Sequence, residues 1–347
     1  MTPPTAPAVL PAPLQSALVL LARGESLSES ESHAATSAML DDLVPEAGVA
    51  AYLTALKLKG ETAEELAGAV RAVRERMMPF VTMRSVLDTC GTGGDGSCSV
   101  NVSTAVAIVA AAAGVPVAKH GNRSASGNSG SAEVLQELGI AIEAPPERLH
   151  ACLERLGLTF LYAPKFHTSL RALAPVRKLL PFRTIFNLIG PLANPCKPGF
   201  QLVGVAGDRA GDLVADALLL LGLVRGAVVT GGDGLDEVSL DAPTHVRWIE
   251  NGRLSLLTWA PEDFGLGTVS ARELTVSGPA ESAARLTAFF RGEAGPVRSA
   301  ILANSAAALL VAGRVRSLEE GVATAARVVD SGDALRLLDE WRELSNG

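Results

Sequence analysis

Asp88-Thr89-Cys90-Gly91-Thr92-Gly93-Gly94-Asp95-Gly96 follows a short apolar run at residues 86–87 and precedes an Ala-rich helical stretch at 103–113. Gly91, Gly93 and Gly96 satisfy G-x-G-x-x-G. In that pattern backbone N–H groups close around an anion, and the next helix adds the positive end of its dipole. A dinucleotide fold also needs an acid about 20 residues on, at the end of the second strand, to hold the ribose. No acidic residue stands between Asp95 and Glu133, and the second strand runs into Lys119-His120 instead. A cation where the ribose acid belongs points to a phosphate-laden ligand. A lone glycine pattern is also compatible with a plain tight turn. The Asp inside this loop and a second loop of the same kind weigh against that.

Further out, apolar runs at residues 86–87, 115–118, 140–142, 158–162, 201–205 and 227–230 read as strands. Helical patterns at 103–113, 131–138, 146–156 and 211–221 lie between them. Such alternation predicts βαβ units and a mainly parallel sheet covered on both faces. Residues 245–249 and 254–259 flank Asn251-Gly252, a hairpin signal. From about residue 281 to 344 the pattern is amphipathic helix. No strand is expected before residue 84. There Thr62 and Glu65 form a capping box, and Leu66, Val70, Val73 and Met77 recur at helical spacing until Pro79. The fold class expected is α/β: a flexible tail over 1–13, a small all-helical domain over 14–82, and a large domain over 83–347 with a mainly parallel central sheet flanked by helices. The helical segment 166–195 interrupts the alternation and is expected to join the small domain, leaving a cleft between the two.

The 347 residues are 48% hydrophobic but only 4% aromatic, so Ala, Leu and Val must supply most of a large core. A net charge of −7 argues against non-specific nucleic-acid binding. Cys90, Cys98, Cys152 and Cys196 show neither C-x-x-C pairing nor zinc spacing, so free thiols in a reducing cytoplasm are expected. The most apolar stretches are too short or too broken by Gly and Pro to span a bilayer, and no signal peptide is read.

The second loop, Lys119-His120-Gly121-Asn122-Arg123-Ser124-Ala125-Ser126-Gly127-Asn128-Ser129-Gly130-Ser131, repeats the logic of the first. It follows a strand, precedes a helix, and carries small polar residues with two cations. Ser131 can serve an anion or simply cap its helix. Between the loops, Asn101-Val102-Ser103-Thr104 offers an amide and two hydroxyls to a terminal phosphate, with Ser103 in reach of a metal. N-capping by Asn101 or Ser103 is the plainer alternative. Asp236-Glu237 lies in the glycine-rich loop 230–239 after a strand. Paired carboxylates suit Mg²⁺, which takes one or two of them plus waters and substrate phosphates. Such a pair is also common on solvated surface.

The loop Gly91-Thr92-Gly93-Gly94-Asp95, the run Lys119-His120-Gly121-Asn122-Arg123 through Gly130-Ser131-Ala132, and Asp236-Glu237 together resemble the anthranilate phosphoribosyltransferase family. So do Ala174-Pro175-Val176-Arg177, Arg183-Thr184-Ile185-Phe186-Asn187 and Gly190-Pro191-Leu192-Ala193-Asn194-Pro195. The resemblance runs in the family's order from about residue 50 to the C-terminus. It implies transfer of phosphoribose from phosphoribosyl pyrophosphate to the amine of anthranilate, in tryptophan synthesis, by a cytoplasmic homodimer. By motif position it implies that Gly91, Gly94, Asp95, Ser99, Asn101, Val102, Ser103, Thr104, the loop Lys119, His120, Gly121, Asn122, Arg123, Ser124, Ala125, Ser126 and Gly127, and Ser131 hold phosphoribosyl pyrophosphate. Gly91, Asn122 and Arg177 would hold anthranilate. Ser103, Asp236 and Glu237 would hold Mg²⁺, two ions per subunit. No residue stands out as a general base, and an arylamine, neutral at pH 7, does not call for a strong one. Arg177 suits the acceptor's carboxylate as a planar fork, and would otherwise be read as a surface ion pair.

The chain departs from the family's pattern at His167-Thr168-Ser169-Leu170, where His-Pro-Ala-Met is usual, and at Pro181, where Gly is usual. Both departures lie toward the acceptor side. His167 and His120 can line the site or be packed, hydrogen-bonded histidines. Two other functions compete. A pyrimidine nucleoside phosphorylase would share the fold, but its phosphate loop reads Lys-His-Ser-x-Gly-Gly. A non-enzymatic relative that binds nucleic acid would lose the Lys119–Arg123 run and gain a basic surface.

Overall fold

The computed structural model describes residues 9–41, 44–124 and 129–347. Its first part is four helices: α1 (Ala12–Ala22), α2 (Glu29–Asp41), α3 (Glu46–Lys59) and α4 (Ala63–Arg76). The capping box opens α4. Thr62 Oγ1 accepts the Glu65 N–H at 3.3 Å, and the Glu65 carboxylate accepts the Thr62 N–H at 2.9 Å. Leu66, Val70 and Val73 are fully buried.

The second part alternates strands and helices. In chain order they are β1 (Leu87–Gly91), α5 (Val102–Ala112), β2 (Val117–Gly121), α6 (Ser131–Glu137), α7 (Pro146–Leu156), β3 (Leu158–Tyr162), α8 (Ala163–Phe166), α9 (Ala174–Leu179) and α10 (Phe186–Leu192). Then come β4 (Phe200–Gly204), α11 (Asp208–Leu220), β5 (Arg225–Gly231), β6 (Thr244–Glu250) and β7 (Arg253–Trp259). Four helices close the chain: α12 (Pro279–Phe290), α13 (Pro296–Val311), α14 (Leu318–Asp330) and α15 (Asp333–Asn346).

One seven-stranded sheet runs β3-β2-β1-β4-β5-β6-β7. β3 to β5 are parallel, and the β6–β7 hairpin adds two antiparallel strands. The chain winds outward from β1 in both directions, so a crevice forms beyond the ends of β1 and β4, where ligands of open α/β sheets bind. In register, Gly91 lies opposite Gly204, and Gly204 opposite Val229. α5 and α13 are buried among apolar neighbours on one face of the sheet. On the other, Val176, Ile185, Phe186 and Ile189 share a core with α1–α4 and α11.

Four expectations differ from what is observed. Residues 140–142 form no strand. Gly139, at φ 83°, ends α6, the Ile140 amide returns to Leu135 O, and the Ala141 amide is taken by Ser345 Oγ, so no free edge remains to pair. Ile140 and Ile142 are nonetheless core residues. The helix expected at 211–221 starts earlier, at Asp208. The long C-terminal helical pattern is four helices, divided at Gly292, Gly313 and Gly332, each with positive φ. Residues 1–8 of the tail lie outside the described residues, and α1 already includes Ala12 and Pro13.

Candidate active site

Lys119 ends up inside the protein, 2% exposed, because β2 is flanked by β1 and β3. Its ammonium donates to the Thr89 carbonyl and, at 3.1 Å, to Ser103 Oγ. Desolvation draws its pKa down, and the charge of buried Asp88 opposes the shift. The Asp88 carboxylate accepts the His120 N–H at 3.1 Å and the Asn194 side-chain amide at 2.9 Å. Asn194 also donates to Ala118 O at 2.8 Å, so one amide fastens the chain just after α10 to the first residues of β1 and β2.

The acidic loop meets the glycine loop above this floor. Asp236 accepts the Gly93 N–H at 2.7 Å, across 143 residues of sequence. Two glycines make that approach possible. A Cβ on Gly91 would lie 2.7 Å from the Asp236 carboxylate, and one on Gly204 would lie 2.6 Å from the Asp236 carbonyl carbon. Burial first, then the charge of Asp95, raises the pKa of Asp236; burial, then Asp236, raises that of Glu237 well above its usual value, opposed by Lys119. Asp95 Oδ2 is buried with no partner. Three carboxylates so crowded and desolvated fit a cation. Among the described residues no three His, Cys, Asp or Glu side chains enclose a metal by themselves. The protein thus offers part of a shell to be completed by waters and ligand oxygens, as Mg²⁺ prefers. A hole of about 10 Å³ lies beneath, lined by Thr89, Ser103, Glu237 and Asn304 among others.

The turn into α5 leaves its hydroxyls uncommitted to capping. Asn101 is the N-cap residue but makes no side-chain cap bond; it accepts from Thr104 Oγ1. Ser103 lies inside the helix and serves Lys119. Val102 is buried, and Ser99 pairs with Thr275 in an isolated bridge. In the second loop Gly130, not Ser131, is the N-cap, because the Glu133 carboxylate takes the Gly130 and Ser124 N–H groups at 2.9 and 3.1 Å. Ser131 Oγ donates to Asn122 O at 3.3 Å and fits against Gly121, where a Cβ would clash. Arg123 Nε donates to the Tyr162 hydroxyl at 3.3 Å. Ala125, Ser126 and Gly127 lie outside the described residues.

Arg177, on α9, makes no ion pair among the described residues; its guanidinium sits 5.8 Å from the centre of the Phe186 ring. The surface-ion-pair alternative is therefore not what is observed. No hydrogen bond joins it to Asn122 or Gly91 among the described residues. His120 and His167 are packed against each other with Nε2 atoms 3.2 Å apart, and His120 Nδ1 faces Gly190 O at 3.0 Å. Burial holds both neutral, with pKa values lowered to about 3 and about 4.

Sequence reasoning gave no role to Arg183, Asn194, Gly204 or Asn304. Arg183 donates to Gly93 O and, at 2.9 Å, to Thr92 O. A Cβ on Gly94 would stand 2.7 Å from the Arg183 guanidinium carbon, so Gly94 makes room for this arginine. Arg183 and Asn194 did stand in the motifs that carried the resemblance; Gly204 and Asn304 had no local signal. Beside the glycine loop opens a cleft of about 560 Å³, bounded by Lys57 and Gly60 of the helical part and Gly207–Arg209 of the α/β part.

The α/β-domain model of the glycosyl transferase family matches residues 83–335, and the family's helical-bundle model matches residues 15–77. The anthranilate phosphoribosyltransferase of Symbiobacterium thermophilum is 46% identical over 94% of this chain and 96% of its own. The crystal structure of the anthranilate phosphoribosyltransferase from Thermus thermophilus superposes with a TM-score of 0.90 at 40% identity, covering 95% of this chain and 99% of that one. The Saccharomyces cerevisiae enzyme in complex with PRPP and Mg superposes with a TM-score of 0.90 at 29% identity, over 96% and 98% of the two chains. With both domains matched and near-full-length relatives well above 30% identity, the chain belongs to the anthranilate phosphoribosyltransferase family.

Proposed function

We infer that the chain transfers the 5-phosphoribosyl group of phosphoribosyl pyrophosphate to the amine of anthranilate, giving N-(5-phosphoribosyl)anthranilate and pyrophosphate, in tryptophan biosynthesis. One observation carries this. The Gly91 loop, Lys119 and the Asp236-Glu237 pair meet at the ends of β1, β2 and β5, in a chain 46% identical to a named enzyme of that activity.

The pyrophosphate and 5-phosphate lie against the amides of Gly91 and Gly94, the segment Ser99 to Thr104 at the positive end of α5, and the loop from Lys119 through Gly127 with Ser131. Asp95, Ser103, Asp236 and Glu237 face the cations that accompany the pyrophosphate. Mg²⁺ supplies charge neutralisation of the leaving pyrophosphate. Three acids facing a highly charged ligand call for more than one divalent ion, and two per subunit are proposed. Arg177, a half-buried fork with no acidic partner among the described residues, receives the acceptor's carboxylate, and Asn122 and Gly91 orient its ring and amine. The amine nitrogen bonds to C1 of the ribose as the C1–oxygen bond to pyrophosphate breaks, and the new N–H⁺ releases its proton to solvent. Positioning and charge stabilisation carry most of the barrier reduction, and no general base is assigned.

A homodimer through the helical part is proposed; Val19, Leu58 and Leu179, on helices α1, α3 and α9, of which α3 touches the other two, are exposed apolar residues available to it. The helices over 166–195 are taken as part of that body, since Val176 and Ile185 share its core. No described helix is long and apolar enough to cross a membrane, and a cytoplasmic location is proposed. The net charge of −7 speaks against a nucleic-acid partner. Anthranilate fluorescence followed with phosphoribosyl pyrophosphate, with and without Mg²⁺, tests the activity. Unchanged fluorescence together with phosphorolysis of thymidine or uridine would move the assignment to a phosphorylase.

A further inference from the structure

Asn304 lies on α13, 1% exposed, in a helix whose other buried residues are Ala, Leu, Ile and Val apart from Ser305. Its amide does two things at once. Oδ1 accepts the Val238 N–H at 2.9 Å, and Nδ2 donates to the Val238 carbonyl at 3.0 Å. The second Nδ2 proton goes to Ala300 O at 3.0 Å, one turn back on the same helix. Both donors and one acceptor lone pair are therefore used, which settles the orientation of the amide. Val238 directly follows Glu237. The side chain thus pairs with the backbone of the acidic loop as a neighbouring strand would, at a residue that belongs to no strand.

The loop needs such an anchor. Residues 232–243 belong to no named strand or helix, and Asp236 meets the Gly93 N–H at 2.7 Å only while the backbone around it is held in place. Within itself the loop is closed by the Asp233–Ser239 bond at 2.7 Å and the Ser239 N–H to Thr244 Oγ1 at 3.0 Å. Those bonds shape the loop but do not fix it to the helical layer. Asn304 does, and it lines the same small hole as Ser103 and Glu237.

We propose that Asn304 is a positioning residue for the divalent cation: it holds Asp236 and Glu237 in ligand geometry before the ion binds. The inference rests on the assignment of those two acids as metal ligands. Groups one step out from the metal typically change affinity by about 10–100-fold when removed. Asn304→Leu keeps the volume and strands both Val238 groups. Asn304→Ser is the milder variant, short enough to admit a water.

The probe is Mn²⁺, titrated by loss of the free-ion paramagnetic signal with phosphoribosyl pyrophosphate present. Both variants should bind Mn²⁺ about tenfold or more weakly. Anthranilate affinity should stay at the parent value. Parent-like Mn²⁺ affinity in Asn304→Ser, at a lowered melting temperature, would make Asn304 a structural residue only. If neither variant folds, the parent protein decides. Free of metal, its Val238 amide should already be protected from hydrogen exchange relative to residues 233–235; protection that appears only with Mn²⁺ refutes pre-positioning. Asp236→Asn with Glu237→Gln separates the two levels. If that pair binds Mn²⁺ normally, the metal assignment itself fails; if it loses Mn²⁺ while Asn304→Ser does not, only the role of Asn304 falls.

Discussion

Gly204→Ala places one methyl group where two loops meet. Gly204 ends β4, paired with Gly91 of β1 and Val229 of β5, and the backbone of Asp236 lies directly across it. The new Cβ would stand 2.6 Å from the Asp236 carbonyl carbon and closer still to its oxygen. Ordinary carbon contacts begin near 3.5 Å, so clearing the carbonyl carbon alone takes a retreat of about 1 Å, and the nearer oxygen demands more. The obstacle is backbone, which cannot rotate aside as a flexible side-chain end can. The 2.7 Å bond from Gly93 N–H to Asp236 breaks, and the acidic pair leaves the glycine loop. Overpacking of this kind costs about 1–3 kcal/mol, which a chain with two large apolar cores absorbs. A catalytic group moved by about 1 Å loses about a hundredfold in rate. The expectation is a folded protein whose kcat/KM for phosphoribosyl pyrophosphate is lower by about two orders of magnitude. Anthranilate binding should be nearly unchanged. Initial rates of anthranilate consumption over a Mg²⁺ series, beside a thermal melt, measure both. Gly278→Ala, where nothing lies within 4 Å of the new methyl, is the control. A Gly204→Ala enzyme with rates like that control at saturating Mg²⁺ would refute the contact between β4 and the acidic loop as a determinant of activity.

Arg177→Ala should raise the KM for anthranilate about 10–100-fold, the worth of one charge-assisted pair, and leave that for phosphoribosyl pyrophosphate almost unmoved; equal losses would remove its assigned role. Asp236→Asn with Glu237→Gln should cut Mg²⁺-dependent turnover on the order of a hundredfold or more. The same double change should raise the metal-free melting temperature near pH 7, since burial has lifted both pKa values and their charge there costs stability. His120 and His167 give the opposite pH sign. Their folded pKa values, lowered to about 3 and about 4, lie below the unfolded value of about 6.5, so the unfolded chain binds more protons and stability falls as pH drops below that point. The slope approaches about 1.4 kcal/mol per pH unit for each histidine, best read by denaturant melts in the Asp236→Asn/Glu237→Gln background, which removes two of the opposing acids and leaves Asp88 and Asp216. A flat stability curve from pH 6.5 to 4 there would show that the pair is not neutral.

Much of this fold announces itself locally. Thr62 and Glu65 opened α4 as a capping box must, and Asn251-Gly252 turned the β6–β7 hairpin. The apolar run 158–162 is β3 to the residue. Residues 140–142 misled for an equally physical reason. A short β-branched run after a glycine looks the same whether its amides meet another strand or, as here, a helix end and Ser345. Ser131 looked like a cap, and Gly130 took that position because Glu133 reaches its amide.

By itself, then, the order of residues determined the alternation of strands and helices, the glycine loops that follow the strands, and the cation carried on β2. Each depends on neighbours a few positions apart, where periodicity and turn chemistry act. Only the tertiary structure decided that Asp236 bonds to Gly93, that Gly94 makes room for Arg183, that Gly204 admits the acidic loop, and that Asn304 stands in for a strand beside Val238. Those are contacts between segments tens to hundreds of residues apart. Burial, charge repulsion and close approach set them, and they exist only after the sheet has brought the strand ends side by side.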